Sequence, residues 1–399
     1  VAGRPRTRPR LLVLGAGPAQ LGLLEAARAR GDADVIAVDR DPQAVGFALA
    51  DERAVLSSED EEAVDRLARA RDVHGIISPG ADWPVGIAAR VAERIGLRHP
   101  IDARTGAIAT SKARQREVFA AAGVLHARAF DSQDPELPFP CVVKAPDRQG
   151  QRGLTLVHRR EELAVAVSTA AAESRSGGVL VEELVAGPEV TVNAVSVDGR
   201  FVPLTITDRL TADEPAFGVA LAHVWPSDND AEPVVAVARA AVEAVGIASG
   251  PSYTQLRIGP DGPVVMEVAA RLGGGHDAEL CRAATGVDLN GLAVTFALGE
   301  SPCNSLLQAL PSAGGAAVAF MVPPVGRLLG IAGIEGAEAV EGVEWVRVYR
   351  RPGHVFGPLR RGTDRAGAVL ATGDGREDAH ERARRAAHAV RFRVDADAP

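Results

Sequence analysis

The chain has 399 residues, 46% hydrophobic and 24% charged, with a formal net charge of -8. At roughly 100–200 residues per domain it holds about two to four domains with large cores. Its acidic balance excludes the basic face of a nucleic-acid binder. The cysteines Cys141, Cys281 and Cys303 are odd in number and far apart, which excludes a disulfide framework or a zinc cluster. No apolar run reaches the ~18–20 residues of a membrane span, and residues 1–10 are not followed by a signal-type segment. The expectation is a soluble cytoplasmic protein with no membrane or nucleic-acid partner. Of its 44 basic residues only Lys112 and Lys144 are lysine. Lysine is a compact point charge and arginine a wide planar fork, so these two mark positions where arginine fails.

In chain order, residues 11–16 (LLVLGA) predict a strand, a glycine turn follows, and 19–30 predict a helix. Strands over 34–39 and 75–78 alternate with helices over 60–71 and 85–95, the pattern of an open parallel sheet covered on both faces. Thr110 or Ser111 caps a helix over 112–122, and Gly123 stops it. Residues 141–145 and 154–158 form a hairpin around the polar glycine loop 147–153 (DRQGQRG), followed by a helix over 161–173. Strands over 179–184, 189–197, 201–207, 253–258 and 264–268 predict a mainly antiparallel sheet, with helices over 234–245 and 278–298 packed on it. Beyond about 304 come strands over 316–321 and 343–349, a helix over 376–390 and a frayed tail from Asp395.

The first glycine loop, Gly15-Ala-Gly17-Pro-Ala-Gln-Leu-Gly22 with Asp39 downstream, is close to a dinucleotide fingerprint. The third glycine should fall at position 20, which is Gln, and Pro18 removes an N–H. The readings are a tight strand-to-helix turn, a part of a substrate pocket alongside Pro79-Gly80-Ala81-Asp82, or a nicotinamide site.

Chemistry concentrates later. Lys144 ends a strand immediately before the 147–153 loop, an arrangement that suits phosphate oxygens. The stretch VLVEELVAGPE (179–189) offers main-chain groups to a flat heterocycle, and Glu189 a carboxylate to ribose hydroxyls. In VVMEVAARLGGG (264–275), Glu267 lies in an apolar strand, where an uncompensated carboxylate is costly and a magnesium ion would compensate it. Arg271 follows, then three glycines that permit close backbone approach to a ligand.

Over roughly residues 11–300 these motifs, in this order, resemble the ATP-grasp carboxylate–amine ligases, in particular bacterial amino-acid or dipeptide ligases. The carrying features are Lys112, the strand ending at Lys144, QGQRG, VEELVAGPEVTV and MEVAARLGG. The resemblance implies an α/β and α+β chain. A Rossmann-like, doubly wound parallel-sheet domain (1–110) is followed by an ATP-grasp fold (111–303, mobile lid about 139–180) and a small C-terminal α/β region (304–399). It implies ATP and Mg2+ or Mn2+ as cofactors, small carboxylate and amine substrates, amino acids among them, and a homodimer.

By position, the resemblance assigns Lys112 and Lys144 to ATP phosphates and Gly150, Gln151, Arg152 and Gly153 to the loop over the β/γ-phosphates. Glu182, Glu183, Leu184 and Val185 fall at the adenine end and Glu189 at the ribose. Glu267 and Gln255 fall at the metal, and Arg271 at the transferring phosphoryl group or reacting carboxylate. Two positions depart from the family pattern: Gln255 replaces a second metal carboxylate, and Ala269 an Asn. The implied reaction passes through an acyl phosphate, with positioning and charge neutralisation as its catalysis. His276 and His223 are the candidates for the base that deprotonates the amine. Rival readings are a carboxyphosphate or formyl-phosphate ligase on a purine-type precursor, a non-catalytic nucleotide-binding protein, and a nicotinamide oxidoreductase.

Overall fold

The computed structural model describes residues 8–396. β1 (Arg10–Leu14), β2 (Asp34–Asp39), β3 (Glu52–Val55) and β4 (Gly75–Ile77) form a parallel sheet in the order β3-β2-β1-β4. Because both faces are covered, β1 is a continuous apolar run from Leu11 to Leu14 rather than alternating. Leu11 and Val13 pack with α1 (Leu21–Arg30), whereas Leu12 and Leu14 pack with α2 (Glu61–Ala70) and α3 (Asp82–Ile95). The doubly wound arrangement expected from the sequence is present.

α4 (Ala103–Ala109) and α5 (Lys112–Ala122) lead out of this sheet. The Ser111 side chain accepts the Arg114 N–H, and Gly123 ends α5 in the left-handed region. A small antiparallel sheet follows in the order β5-β8-β6-β7, made of β5 (Ala129–Phe130), β6 (Cys141–Lys144), β7 (Thr155–Val157) and β8 (Leu180–Glu183). α6 (Arg160–Glu173) covers it over a core that includes Cys141, Val143, Val157 and Ala170.

The main sheet begins with β9 (Glu189–Val197), β10 (Arg200–Thr211), β11 (Ala220–Trp225), β12 (Gly250–Gly259) and β13 (Gly262–Ala269). α7 (Ala231–Val245) packs on one face; α8 (Asp277–Thr285) and α9 (Leu289–Ala297) pack on the other. The chain continues through β14 (Gly315–Met321), β15 (Gly326–Ala332), α10 (Ile334–Glu338), β16 (Val343–Val348), β17 (Val355–Phe356), β18 (Gly367–Gly373), α11 (Arg376–Ala389) and β19 (Arg391–Asp395). β14, β18 and β16 join the main sheet through β11, giving one eight-stranded sheet in the order β13-β12-β9-β10-β11-β14-β18-β16. The C-terminal region is thereby hydrogen-bonded to the centre of the molecule. β17, β15 and β19 form a separate three-stranded sheet.

Two sequence expectations change. The single helix over 278–298 is two helices, because Gly286 adopts φ 75° and the Asp288 side chain then caps a new start by accepting the Gly291 N–H. The tail does not fray from Asp395, which ends β19 paired with Arg327; residues 397–399 lie outside the described residues. Among the described residues no helix is long and apolar enough to cross a membrane.

Candidate active site

β6, β8, the 147–153 loop and the β12–β13 hairpin enclose a cavity. Lys112, Lys144, Gly150, Gln151, Arg152, Glu182, Glu183, Leu184, Val185, Glu189, Gln255 and Glu267 all line it. Residues separated by up to 155 positions therefore meet, as the order of motifs implied. Gly153 is the exception. It sits behind the loop at φ +66°, where a Cβ would stand 3.1 Å from the Ala145 side chain, and its carbonyl accepts the Ala145 N–H.

Local register explains the lysines. Val142 pairs with Glu182 across β6–β8, so Lys144 lies diagonal to Glu182 on one face. The Lys144 ammonium is ion-paired to the Glu182 carboxylate, and Arg116 Nε donates to the same carboxylate at 2.5 Å. Burial works against ionisation of Glu182, yet the two cations hold its pKa below the usual carboxylate range. The Glu182 side chain thus anchors two cations. Leu184 and Val185, beyond the last paired residue of β8, line the cavity beside it. Lys112 Nζ lies 3.1 Å from Glu267 Oε1 and donates to the Arg148 carbonyl at 2.8 Å. Glu189 is clasped rather than open: Arg209, Arg257 (3.5 Å) and Gln255 Nε2 (2.6 Å) all reach its carboxylate.

A second cavity, of about 270 Å³, adjoins the first and shares Gln149, Gly150, Gln151, Gln255 and Glu267 with it. Arg271 and His276 line this second cavity. Arg271 pairs with Asp82 at 2.6 Å, at the start of α3. The Gln149 side chain accepts the Asp82 N–H and donates to the Gly80 carbonyl at 3.5 Å. The loop is thus tied to the Pro79–Asp82 turn of the first sheet.

The histidines differ from expectation. Both ring nitrogens of His276 are engaged, Nδ1 with Glu279 at 3.2 Å and Nε2 with the Tyr349 hydroxyl at 2.5 Å. Its ring packs edge-on against Trp345 with centroids 4.9 Å apart. His276 is thus held by Glu279 and Tyr349 at the wall of the second cavity. His223 is the better placed: Nδ1 meets Asp277 at 2.9 Å, and buried Nε2 has no partner beside the second cavity. Burial opposes ionisation of Asp277, but His223 and the Gly275 N–H bring its pKa to about 2. The glycine run serves this pair. A Cβ on Gly273 would lie 2.2 Å from Asp277, and one on Gly275 2.6 Å from His223. Gly273 and Gly275 thus make room for side chains of the chain itself, while Gly274 and Gly275 also line the second cavity.

The residues fit a divalent cation carried in with phosphate. Gln255 and Glu267 are direct cross-strand partners and line both cavities. The Glu189 carboxylate only accepts, so the Gln255 nitrogen faces it and the amide oxygen is the free end. One carboxylate and one amide oxygen suit a hard cation that keeps waters and phosphate oxygens as its other ligands. No group of three or more His, Cys, Asp and Glu assembles among the described residues, so the protein offers no cage of its own.

Sequence reasoning passed over Gln149, Tyr253, Arg209, Arg350 and Arg365, all on the second cavity. Gln149 stands inside the loop already singled out. The arginines carried no signal, because arginine is the ordinary base of this chain.

A family model described as ATP-grasp domain matches residues 137–279, and one described as L-amino acid ligase C-terminal domain 2 matches residues 319–395. The uncharacterized protein y4rH of Sinorhizobium fredii is 28% identical over 82% of this chain and 70% of its own length. Carnosine synthase 1 of Gallus gallus is 28% identical over 42% of this chain, spanning 19% of that longer protein. Among solved structures, an L-amino acid ligase from Bacillus licheniformis superposes with a TM-score of 0.83 at 21% identity, covering 98% of this chain and all of that one.

Proposed function

We propose, from the premise that this chain is an ATP-grasp protein with an L-amino acid ligase C-terminal domain, that it joins an amino-acid carboxylate to an amine. ATP is consumed, and ADP and phosphate are released. The observation that carries this reading is the shared wall. Glu267, Gln255 and the Gln149–Gln151 loop face the lysine-lined cavity on one side and the Arg271 cavity on the other. A phosphoryl group bound at that wall stands between the two compartments.

Lys112, Lys144 and Arg148 supply positive charge on the nucleotide side. Arg271, oriented by Asp82, receives the substrate carboxylate. A carboxylate oxygen attacks the γ-phosphorus, the bond to the β,γ-bridging oxygen breaks, and ADP leaves with that electron pair. The amine nitrogen then attacks the acyl carbon, and the carbon–oxygen bond to phosphate breaks. His223 Nε2 takes the amine proton, while Asp277 holds the ring tautomer and offsets the imidazolium charge. Mg2+ or Mn2+, held by Glu267 and Gln255, supplies charge neutralisation of the phosphates when bound. The 147–153 loop, latched through Gln149 to Asp82, excludes water that would hydrolyse the acyl phosphate.

The test is phosphate release from Mg-ATP across a matrix of amino-acid pairs, with product masses read in parallel. The expected result is little release with ATP alone and stimulation by a particular pair, giving a product lighter than the sum of its substrates by one water. Tight ATP binding with no stimulation by any carboxylate would sink the ligase reading.

A further inference from the structure

The second cavity contains more positive charge than its carboxylates balance. Arg271 is matched by Asp82, and Arg209 by Glu189. Arg350 and Arg365 also line the cavity, and neither has a carboxylate within ion-pair distance among the described residues. Arg350 donates to the carbonyls of Tyr349 (3.3 Å) and Thr363 (2.7 Å). Arg365 donates to those of Gly362 (2.7 Å) and Ala220 (3.3 Å). Both guanidinium groups are therefore tethered to the adjacent residues Gly362 and Thr363, which line the same cavity.

Carbonyls orient a guanidinium without cancelling its charge. Each group has five N–H donors, and these bonds use only part of them. Arg365 is further fixed by lying over the Phe320 ring, 3.6 Å from its centroid. The nearest acids are committed elsewhere: Asp277 to His223 and the Gly275 N–H, Asp364 to the amides of Arg360 and Arg361. Both arginines are part-buried, where charge without a counter-ion carries a cost, and a planar carboxylate is the partner that a held guanidinium fits in two places at once.

We propose that Arg350 and Arg365 form a second carboxylate subsite, distinct from Arg271, which holds a carboxylate that is not activated. Burial lowers the Arg365 pKa to about 10, so the group remains cationic at neutral pH. The subsite rests on the ligase reading for its place in the reaction. There the carboxylate belongs either to the amine substrate, itself an amino acid, or to the side chain of the acyl substrate. In either case the product keeps a free carboxylate at this end of the cavity.

The experiment uses the full chain and separates the two sources. With an active pair, the amine substrate is replaced by its carboxamide in one arm, and the acyl substrate by its side-chain carboxamide in the other. Wild-type kcat/KM should fall roughly tenfold or more in one arm, the size expected for a charge-assisted hydrogen bond. R365Q should lose that discrimination, R365K should retain part of it, and the KM for ATP should stay unchanged in both. Equal sensitivity of wild type and R365Q would overturn the subsite while leaving the ligase intact. Calorimetric titration of succinate, glutarate and adipate, each against its monoamide, into the chain with Mg-ADP gives a readout that needs no turnover. A preference for at least one diacid that R365Q abolishes supports the subsite even if no pair turns over. Its absence from the whole series, or its survival in R365Q, overturns it.

Discussion

Lys144 and Glu182 form an ion pair buried to within 7% and 2% of full enclosure, and Arg116 closes on the same carboxylate. A wide fork has no room where a point charge sits between that carboxylate and the cavity. Lys144→Arg should lower kcat by roughly a hundredfold or more, the scale of losing a preorganised charge, while the protein stays folded by circular dichroism. Wild-type turnover in this variant would contradict the assignment. Glu182→Gln leaves two buried cations without their anion and should cost about 3–5 kcal/mol in urea unfolding.

Lys112 holds one oxygen of Glu267, so a metal arriving alone meets a single carboxylate already spent on a cation. Mn2+ binding followed by electron paramagnetic resonance should be weak for the free protein and roughly tenfold or more tighter with ADP present. Lys112→Met should strengthen binding of the metal alone and weaken binding of ATP. Glu267→Gln should remove the metal response in both states.

Acid should unfold the second cavity first. Asp277 and Glu279 both have pKa values brought down to about 2, against burial, by His223 and His276 respectively. A depressed carboxylate pKa contributes stability that is complete above the unfolded value, ~4, and is lost as pH falls through the folded value. Each contributes roughly 2–3 kcal/mol on that basis. The Tm should hold from pH 7 to about 5 and drop steeply from pH 4 to 2. Asp277→Asn should flatten part of that drop and lower Tm at neutral pH.

Gln149 is the latch between the loop and the Pro79–Asp82 turn. Gln149→Ala removes two hydrogen bonds, about 1 kcal/mol each, so Tm should change little. The coupling ratio should change far more. Phosphate released per molecule of product should rise severalfold above one, because water reaches the acyl phosphate. A ratio that stays at one would show that the latch plays no part in closure.

His223 and His276 should separate kinetically. His223→Gln should lower kcat by roughly 10²–10⁴-fold with little change in Tm. His276→Gln should change kcat far less and lower Tm, since its ring ties Glu279 to Tyr349. The opposite pattern would exchange their roles.

The sequence by itself determined the order of strands and helices through its apolar periodicity, and the two lysines through their scarcity. The resemblance of its motifs to the ATP-grasp ligases also implied that Glu267, Arg271 and the 147–153 loop share one site. Only the tertiary structure decided which charges face each other. Arg116 meets Glu182 from 66 positions away, Arg271 meets Asp82 from 189, and His223 meets Asp277 from 54. Periodicity reports which side of an element is buried, not which distant residue is buried against it. The same limit applies to His276, a candidate base by its place after three glycines, whose nitrogens meet Glu279 and Tyr349. It also explains Arg350 and Arg365. Among many arginines, those left without an anion are recognisable only once every carboxylate around them has been assigned a partner.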